Sequence, residues 1–308
     1  MNMEKIIEEL RANEVGKVKA NEPLSNHTTI KVGGPADIFV EPDSIDKLLK
    51  TMEIIQKNKL PWRVIGRGSN LLVSDEGIAG VVIKLGKGMD NLDIDGTTVR
   101  VGAGYSFIVL ANALGRKGLS GFEFAGGIPG SVGGAVYMNA GAHGSDVSKV
   151  LEKARVLFPD GAVEWLTNED MEYSYRTSIL QKKRPGIVLE AVFNLQEGNR
   201  DIIAAEMKKH RTYRRDTQPV KPCCGSVFRN PLPEHAGKLM QDAGLKGYSI
   251  GGAQISELHG NFIVNNGTAK ASDVLALIEY MKETALERNG IELHTEVEIV
   301  ERKAKGNA

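Results

Sequence analysis

Two glycine-rich stretches carry the first chemical signal in this sequence. Gly66-Arg67-Gly68-Ser69-Asn70 follows directly on the apolar run Val64-Ile65. Farther on comes Gly126-Gly127-Ile128-Pro129-Gly130-Ser131-Val132-Gly133-Gly134-Ala135. The chain has 35 glycines in 308 residues, above the usual share of about 7%, and they gather between Gly66 and Gly144. Glycine lets a backbone turn tightly or come close to a ligand. Bare N–H groups after a strand suit phosphate or pyrophosphate. One such cluster reads equally well as a tight turn; two in one stretch favour a ligand. No GxGxxG follows a strand and no GxxxxGK[ST] occurs, so neither a Rossmann site nor a P-loop is expected. The two cysteines, Cys223 and Cys224, are adjacent. Neighbouring thiols rarely pair, because the ring is strained. No CxxC spacing offers a thiolate metal site, and no metal is expected.

The elements that must position these loops can be read from periodicity. Met1 to Leu10 is an amphipathic helix without the apolar h-region of a signal peptide. The segment 26–35 reads as strand and turn, and 37–40 as a short strand. Ser44 caps a helix over 45–57, with Leu48, Leu49, Met52 and Ile55 on one face. Strands are expected at 61–65 and 81–85, and a hairpin over 92–101 turning at Asp95-Gly96. A helix over 106–117 stops at Gly118, and 121–144 reads as a long glycine-rich loop. Two strands flank Pro159-Asp160-Gly161, and another covers 187–195. A charged helix covers 201–213, where Lys208-Lys209-His210-Arg211 is a solvated face. Composition shifts at Arg214-Arg215-Asp216-Thr217-Gln218-Pro219. The remainder is a small α+β unit, with helices over 235–243 and 272–288 and strands over 260–264 and 292–300. The boundary is expected near residue 210, giving domains 1–210 and 211–308.

The bulk composition restricts the partners. Hydrophobic residues make up 41% and charged residues 25%, and 39 Lys and Arg balance 39 Asp and Glu. A neutral chain argues against a general nucleic-acid binder. No apolar run is long enough to span a bilayer, so no membrane partner and a cytoplasmic location are expected. Two reduced thiols fit a reducing compartment.

Five motifs in order resemble one family. Gly66-Arg67-Gly68-Ser69-Asn70 and the 126–135 stretch are similar to the two phosphate loops of the vanillyl-alcohol-oxidase-type (PCMH-type) FAD-binding fold. Asn139-Ala140-Gly141-Ala142, Tyr175-Arg176-Thr177-Ser178 and Gly225-Ser226-Val227-Phe228-Arg229-Asn230-Pro231 complete a pattern that resembles UDP-N-acetylenolpyruvoylglucosamine reductases. The resemblance runs from about Asn26 to about Glu301 and is to the shorter of the family's two types, because the chain passes tightly from Arg176 through Pro185-Gly186. It implies an α+β chain: a two-part PCMH-type FAD-binding domain, 1–210, followed by a smaller α+β substrate-binding domain, 211–308. It implies non-covalent FAD, NADPH as reductant, a small-molecule UDP-sugar substrate, a monomer, and a step of peptidoglycan synthesis. FAD contacts are expected from Gly66, Arg67, Gly68, Ser69, Asn70, Gly126, Gly127, Ile128, Pro129, Gly130, Ser131, Gly133, Gly134 and Asn139.

The implied reaction delivers hydride to the terminal carbon of an enolpyruvyl ether, and negative charge develops on the adjacent carbon and its carboxylate. Such a site needs a cation beside the carboxylate and a proton donor for the carbon. Arg176 by itself reads as a surface or packing residue; the family motif makes it the cation, a role its forked, permanent charge suits. Ser226 by itself reads as a turn or cap serine; the resemblance makes it the proton donor, prepositioned by Gly225. In strand alternation Glu296 shares a face with His294 and Glu298, and periodicity does not choose among them; the family pattern selects Glu296 as the group that polarises protonation. Tyr175, Arg229, Asn230 and Gln254 are expected substrate contacts. Arg214 and Arg215 read either as diphosphate ligands or as a solvated helix end. His143 is a loop residue, although a histidine bonds covalently to flavin in related folds, and His27 is structural. Two other readings stand beside this one, an FAD oxidase of the same superfold and a catalytically idle nucleotide-sugar binding module.

Overall fold

The computed structural model describes residues 3–302. Eight α-helices form among them: α1 (Met3–Ala12), α2 (Ile45–Lys57), α3 (Phe107–Lys117), α4 (Val132–Met138), the single turn α5 (Ile179–Lys182), α6 (Arg200–Thr217), α7 (Ala236–Asp242) and α8 (Ala271–Asn289). The chain divides into two compact, interleaved units. One comprises Met1–Ala20, Ile38–Gly66 and Val81–Arg214; the other comprises Asn21–Asp37, Arg67–Gly80 and Arg215–Ala308.

The first unit is built on an antiparallel five-stranded sheet. Its order is Val163–Thr167, Leu151–Leu157, Ile187–Asn194, Thr98–Gly102, Leu92–Asp95. The run Ile-Val-Leu-Glu-Ala-Val-Phe lacks alternation because the central strand is covered on both faces, and every residue but the last is buried. Its one charge, Glu190, survives burial because Arg100 Nε lies 3.3 Å from one carboxylate oxygen and Arg155 Nη1 3.9 Å from the other. A second sheet orders Gly16–Pro23, Pro35–Pro42, Ile78–Lys84 and Trp62–Ile65, the last two parallel. Ile6, Ile7 and Leu10 of α1 join Leu48, Met52, Ile54 and Ile55 of α2 in the core. As expected, Ser44 caps α2, accepting from Lys47 N at 3.2 Å, and α3 ends at Gly118 in the left-handed region. Phe107, Phe122 and Phe193 meet edge to face at 5.1 Å. This aromatic cluster roots the segment from Phe122 onward in the core.

The second unit is smaller. Its antiparallel sheet orders Cys223–Ser226, Phe262–Asn265, Ala253–Ile255 and Ser249–Ile250. Helix α8 buries Ala271, Val274, Leu277, Ile278, Met281 and Ala285, and these join Val227, Phe228 and Ile263 in one core. Leu71–Val73 pairs in parallel with Glu298–Val300, which ties a strand from early in the sequence to its end. Asp75 then caps α8 from outside the helix, its carboxylate accepting from Ala271 N at 2.7 Å and Ser272 N at 3.0 Å.

Three local expectations are corrected. The 121–144 loop contains helix α4, started by Ser131, whose Oγ accepts from Gly134 N. No strand forms over 26–34; residues Leu24–Asn26 make a 3-10 turn, and the strand begins only at Pro35. The last strand is Glu298–Val300 rather than 292–300, so Glu296 lies in a bend and strand alternation does not govern it.

Candidate active site

In the first unit the second glycine stretch wraps the start of α4. Ser131 is buried, and a Cβ on Gly66 would run into its hydroxyl. Gly134, the other residue within reach of that hydroxyl, is exposed. Gly126 and Gly127 lean on α6: a Cβ there would press on Met207 Cε at 3.0 Å and into the Arg214 stem, respectively. Gly130 sits at φ 130°, a conformation that side chains avoid. Ile128 is half-buried and Pro129 exposed. Gly133 has a different reason to be glycine, since its Cβ would meet Ala103 Cβ at 2.9 Å in the core.

Helix α4 carries this cradle at one end and a tight turn at the other. Its C-cap is Asn139, at φ 46°, whose side chain donates to Ser174 O at 3.1 Å and accepts from Ser148 N at 3.0 Å. Ser174 and Thr177 exchange both backbone bonds, so Tyr175 and Arg176 form a two-residue turn. Arg176 holds the positive φ of 55° at its third position, as a type II turn demands. Ser178 Oγ and Gln181 Nε2 both donate to Tyr137 O, at 2.6 and 2.9 Å, and buried Tyr173 OH donates to Val136 O at 3.0 Å. Desolvation, followed by the charge of Asp146, holds the Tyr173 phenol well above its ordinary range, so it stays a neutral donor. The half-buried Arg176 lies with its guanidinium 5.1 Å from the Tyr175 ring centroid and donates to Gly141 O at 2.6 Å.

The second unit gathers Ser226, Glu296, Asn70 and Arg229. Ser226 ends its strand after Gly225, which sits at φ 77° with its Cβ position 3.7 Å from Ser69 O. Val227 O accepts from Glu296 N at 2.8 Å and Val297 N at 3.3 Å, and Arg229 N donates to His294 O at 3.0 Å. Asn70 Nδ2 donates to Glu296 O at 2.9 Å. Ser226 and Glu296 are both half-buried, whereas His294 and Glu298 are exposed. In the first loop Gly68 sits at φ 65° and a Cβ would strike His27 O. Gly68 O accepts from Thr29 N at 3.0 Å and Thr29 Oγ1 at 3.3 Å. Arg67 is exposed.

Two expected substrate contacts have structural duties. Asn230 Oδ1 accepts from Ala236 N at 3.2 Å at the start of α7, and Gln254 Nε2 donates to Gly247 O at 3.1 Å. His27 is paired with Glu22 at 2.9 Å. Cys223 is half-buried and Cys224 fully so, and desolvation pushes the Cys224 thiol up to about 12, which keeps it un-ionised and inert. One positioning residue escaped the sequence reading. Buried Asn261 accepts from Phe228 N at 2.9 Å and donates to Phe228 O at 2.8 Å, which fixes the peptide between Val227 and Arg229. Its signal was a single polar residue leading the apolar run Phe262-Ile263-Val264.

Residues 36–167 match the FAD binding domain family, and residues 218–300 match the C-terminal domain of UDP-N-acetylenolpyruvoylglucosamine reductase. The chain is 64% identical over 302 residues to the UDP-N-acetylenolpyruvoylglucosamine reductase of Bacillus licheniformis, covering 98% of this chain and 100% of that one. It is 62% identical over 299 residues to that of Bacillus subtilis, covering 97% and 99%. The crystal structure of UDP-N-acetylenolpyruvylglucosamine reductase from Thermus caldophilus superposes with a TM-score of 0.81 at 37% identity, covering 92% of this chain and 98% of that one.

Proposed function

The chain belongs to the UDP-N-acetylenolpyruvoylglucosamine reductase family, and on that premise we propose how its residues divide the reaction. It is an FAD-containing oxidoreductase of peptidoglycan synthesis that reduces the enolpyruvyl group of UDP-N-acetylenolpyruvoylglucosamine. The residues present fit the flavin. Gly66 leaves open the space that a Cβ would fill against Ser131 Oγ, and Gly127 the space beside the Arg214 stem; together they form a bare-backbone and hydroxyl set suited to a pyrophosphate. Gly66 to Asn70 and Gly126 to Gly134 would hold it without a covalent bond. Bound FAD, reduced by NADPH, supplies the hydride.

The chain's own residues then manage charge and proton. Hydride adds to the terminal enolpyruvyl carbon, the C=C π bond breaks, and its electron pair moves onto the adjacent carbon and the carboxylate. Arg176, with Tyr175 beside it, holds that carboxylate as its charge grows. Ser226 donates its proton to the adjacent carbon, and Glu296 polarises the serine hydroxyl and re-protonates it from solvent. Arg229 contacts substrate, and Arg214 and Arg215 face its diphosphate. Asn230 and Gln254 fix the loops that receive it. The observation that carries this reading is the double acceptance by Val227 O of Glu296 N and Val297 N, which anchors the Glu296 bend one residue from Ser226. We further read the chain as a cytoplasmic monomer, in line with its two cysteines standing as thiols rather than as a disulfide.

The test is spectroscopic. Anaerobic yellow holoenzyme should bleach with NADPH and regain its colour on addition of UDP-N-acetylenolpyruvoylglucosamine. Reoxidation by air alone, indifferent to that substrate, would point to an oxidase and overturn the assignment.

A further inference from the structure

We propose that His210 is a positioning residue for the flavin cradle, gripping the Glu123–Gly127 turn from α6 through one ring nitrogen while the other is tied to Glu206. His210 is only 7% exposed. Its Nδ1 lies 3.2 Å from Glu123 O and its Nε2 3.0 Å from Glu206 Oε1. A backbone carbonyl only accepts, and so does an ionised carboxylate. The ring is thus aimed at Glu123 O from one nitrogen and tied to its own helix at Glu206 from the other. Three residues on one face of α6 meet the same segment: Met207 lies under Gly126, His210 under Glu123 O, and Arg214 under Gly127. His210 grips backbone through a hydrogen bond, and that backbone leads directly into Gly126 and Gly127.

The second support is His143. Its ring stacks on His210 at 3.9 Å with planes 1° apart, and meets Tyr213 edge-on at 5.7 Å. It is held there by a backbone at φ 55°. Burial, then the charge of His210 and then that of Arg214, holds His143 below the usual imidazole range. The stack fixes the plane of the His210 ring and so the direction of both its nitrogens. The groups facing the pair are Glu206, Lys209, Tyr213 and Arg214 from α6 and His143 from its turn; the Glu123 carboxylate is engaged elsewhere, by Ser120 Oγ and Gly121 N, each at 2.8 Å. Without the ring, the turn that shapes the cradle loses its tie to α6 at Glu123 O.

The readout is FAD release, which needs neither Ser226 nor Glu296, so it can fail or succeed independently of the proposed division of the reaction. Holoenzyme is diluted at fixed pH and the flavin fluorescence of released FAD is followed. H210A should bind FAD about 10- to 100-fold more weakly than the native chain. H210N keeps an N–H for Glu123 O and should stay within about threefold of native binding. If H210A does not fold, H210F, which keeps a ring and loses both bonds, takes its place. An H210A or H210F constant equal to the native one, or an H210N constant as weak as theirs, in folded protein, overturns the proposal.

Discussion

Asn70 and Glu296 are joined in both directions across the sequence: Asn70 Nδ2 donates to Glu296 O at 2.9 Å, and two residues on Glu298 N donates to Asn70 O at 3.0 Å. A residue of the first glycine loop thereby sets the bend that carries the proposed catalytic carboxylate. The parallel pairing of Leu71–Val73 with Glu298–Val300 begins immediately beyond, so the bend is fixed on one side by a strand and on the other by Val227 O.

It follows that Asn70→Ala should act through Glu296. The lost hydrogen bond leaves the Glu296 carbonyl to find another donor, a cost of about 1–3 kcal/mol if it stays buried. The expected outcome is a fall of about tenfold or more in the rate at which reduced enzyme is reoxidised by substrate, larger than the fall in the rate of flavin reduction by NADPH. Equal losses in both half-reactions, measured by stopped-flow absorbance, would mean that Asn70 serves the flavin rather than the bend.

The glycine loops give a graded prediction. Gly68 combines φ 65° with a Cβ position blocked by the His27 carbonyl, which is backbone and cannot swing aside. Gly66 is blocked by the Ser131 hydroxyl that caps α4. Gly96 also has a positive φ, 56°, but nothing lies within 4 Å of its Cβ position. Gly68→Val and Gly66→Val should purify with little flavin, judged by the ratio of visible to ultraviolet absorbance, while Gly96→Asn should remain as yellow as the native chain. Full flavin content in Gly66→Val would move the cradle elsewhere.

Asp75 supplies a stability prediction with a pH dependence. Burial alone would raise its carboxyl, but the hydrogen bonds from Ser272 N and Ala271 N together hold it below the ordinary range. A carboxylate with a depressed folded value contributes stability that is complete above the unfolded value, about 3.9, and is lost as pH falls through the folded one. Asp75→Ala should lower the unfolding free energy by about 1 kcal/mol near neutrality; the group is exposed, so screening keeps the effect at that modest scale. Urea titrations at pH 7 should show the gap, and the gap should shrink when they are repeated in acid.

Much of this fold is legible locally. Ser44 before an apolar stripe, Gly118 after one and Asp95-Gly96 between two short runs each specify their element through nearest neighbours, and each forms as expected. What is not legible depends on distant partners. Gly133 and Gly134 read as part of a glycine-rich loop, yet α4 forms there because Ser131 caps it and because only glycine at 133 clears Ala103. The alternation argument at Glu296 fails because the peptide is bent by bonds to Val227 and Asn70, neither of which lies nearby in sequence. The grouping of Asn21–Asp37 and Arg67–Gly80 with the C-terminal residues depends on the strand pairing that ends the chain. The proposed site residues are legible only as a set of motifs: Arg176 in its positive-φ turn and Ser226 after Gly225 look ordinary one at a time, and Asn261, which brackets Phe228 through both its backbone groups, has no motif at all.

The sharpest prediction separates proton donation from everything else. Reduction of flavin by NADPH creates no carbanion, whereas reduction of the enolpyruvyl group does. If Ser226 supplies the proton, Ser226→Ala should leave the first half-reaction within a small factor of the native rate. Reoxidation of reduced enzyme by UDP-N-acetylenolpyruvoylglucosamine should slow by about 10²–10⁴-fold, the range for loss of a general acid. Glu296→Gln keeps the size and the backbone bonds to Val227 and Asn70 but removes the charge, so it should damage the same half-reaction and spare the other. The two effects should not add, because both variants remove one proton path; the double variant should be about as slow as the slower single. Anaerobic stopped-flow on each half-reaction measures all of these rates. If Ser226→Ala slowed both half-reactions alike, the serine would be shaping a shared pocket, and the proton would have to come from another group.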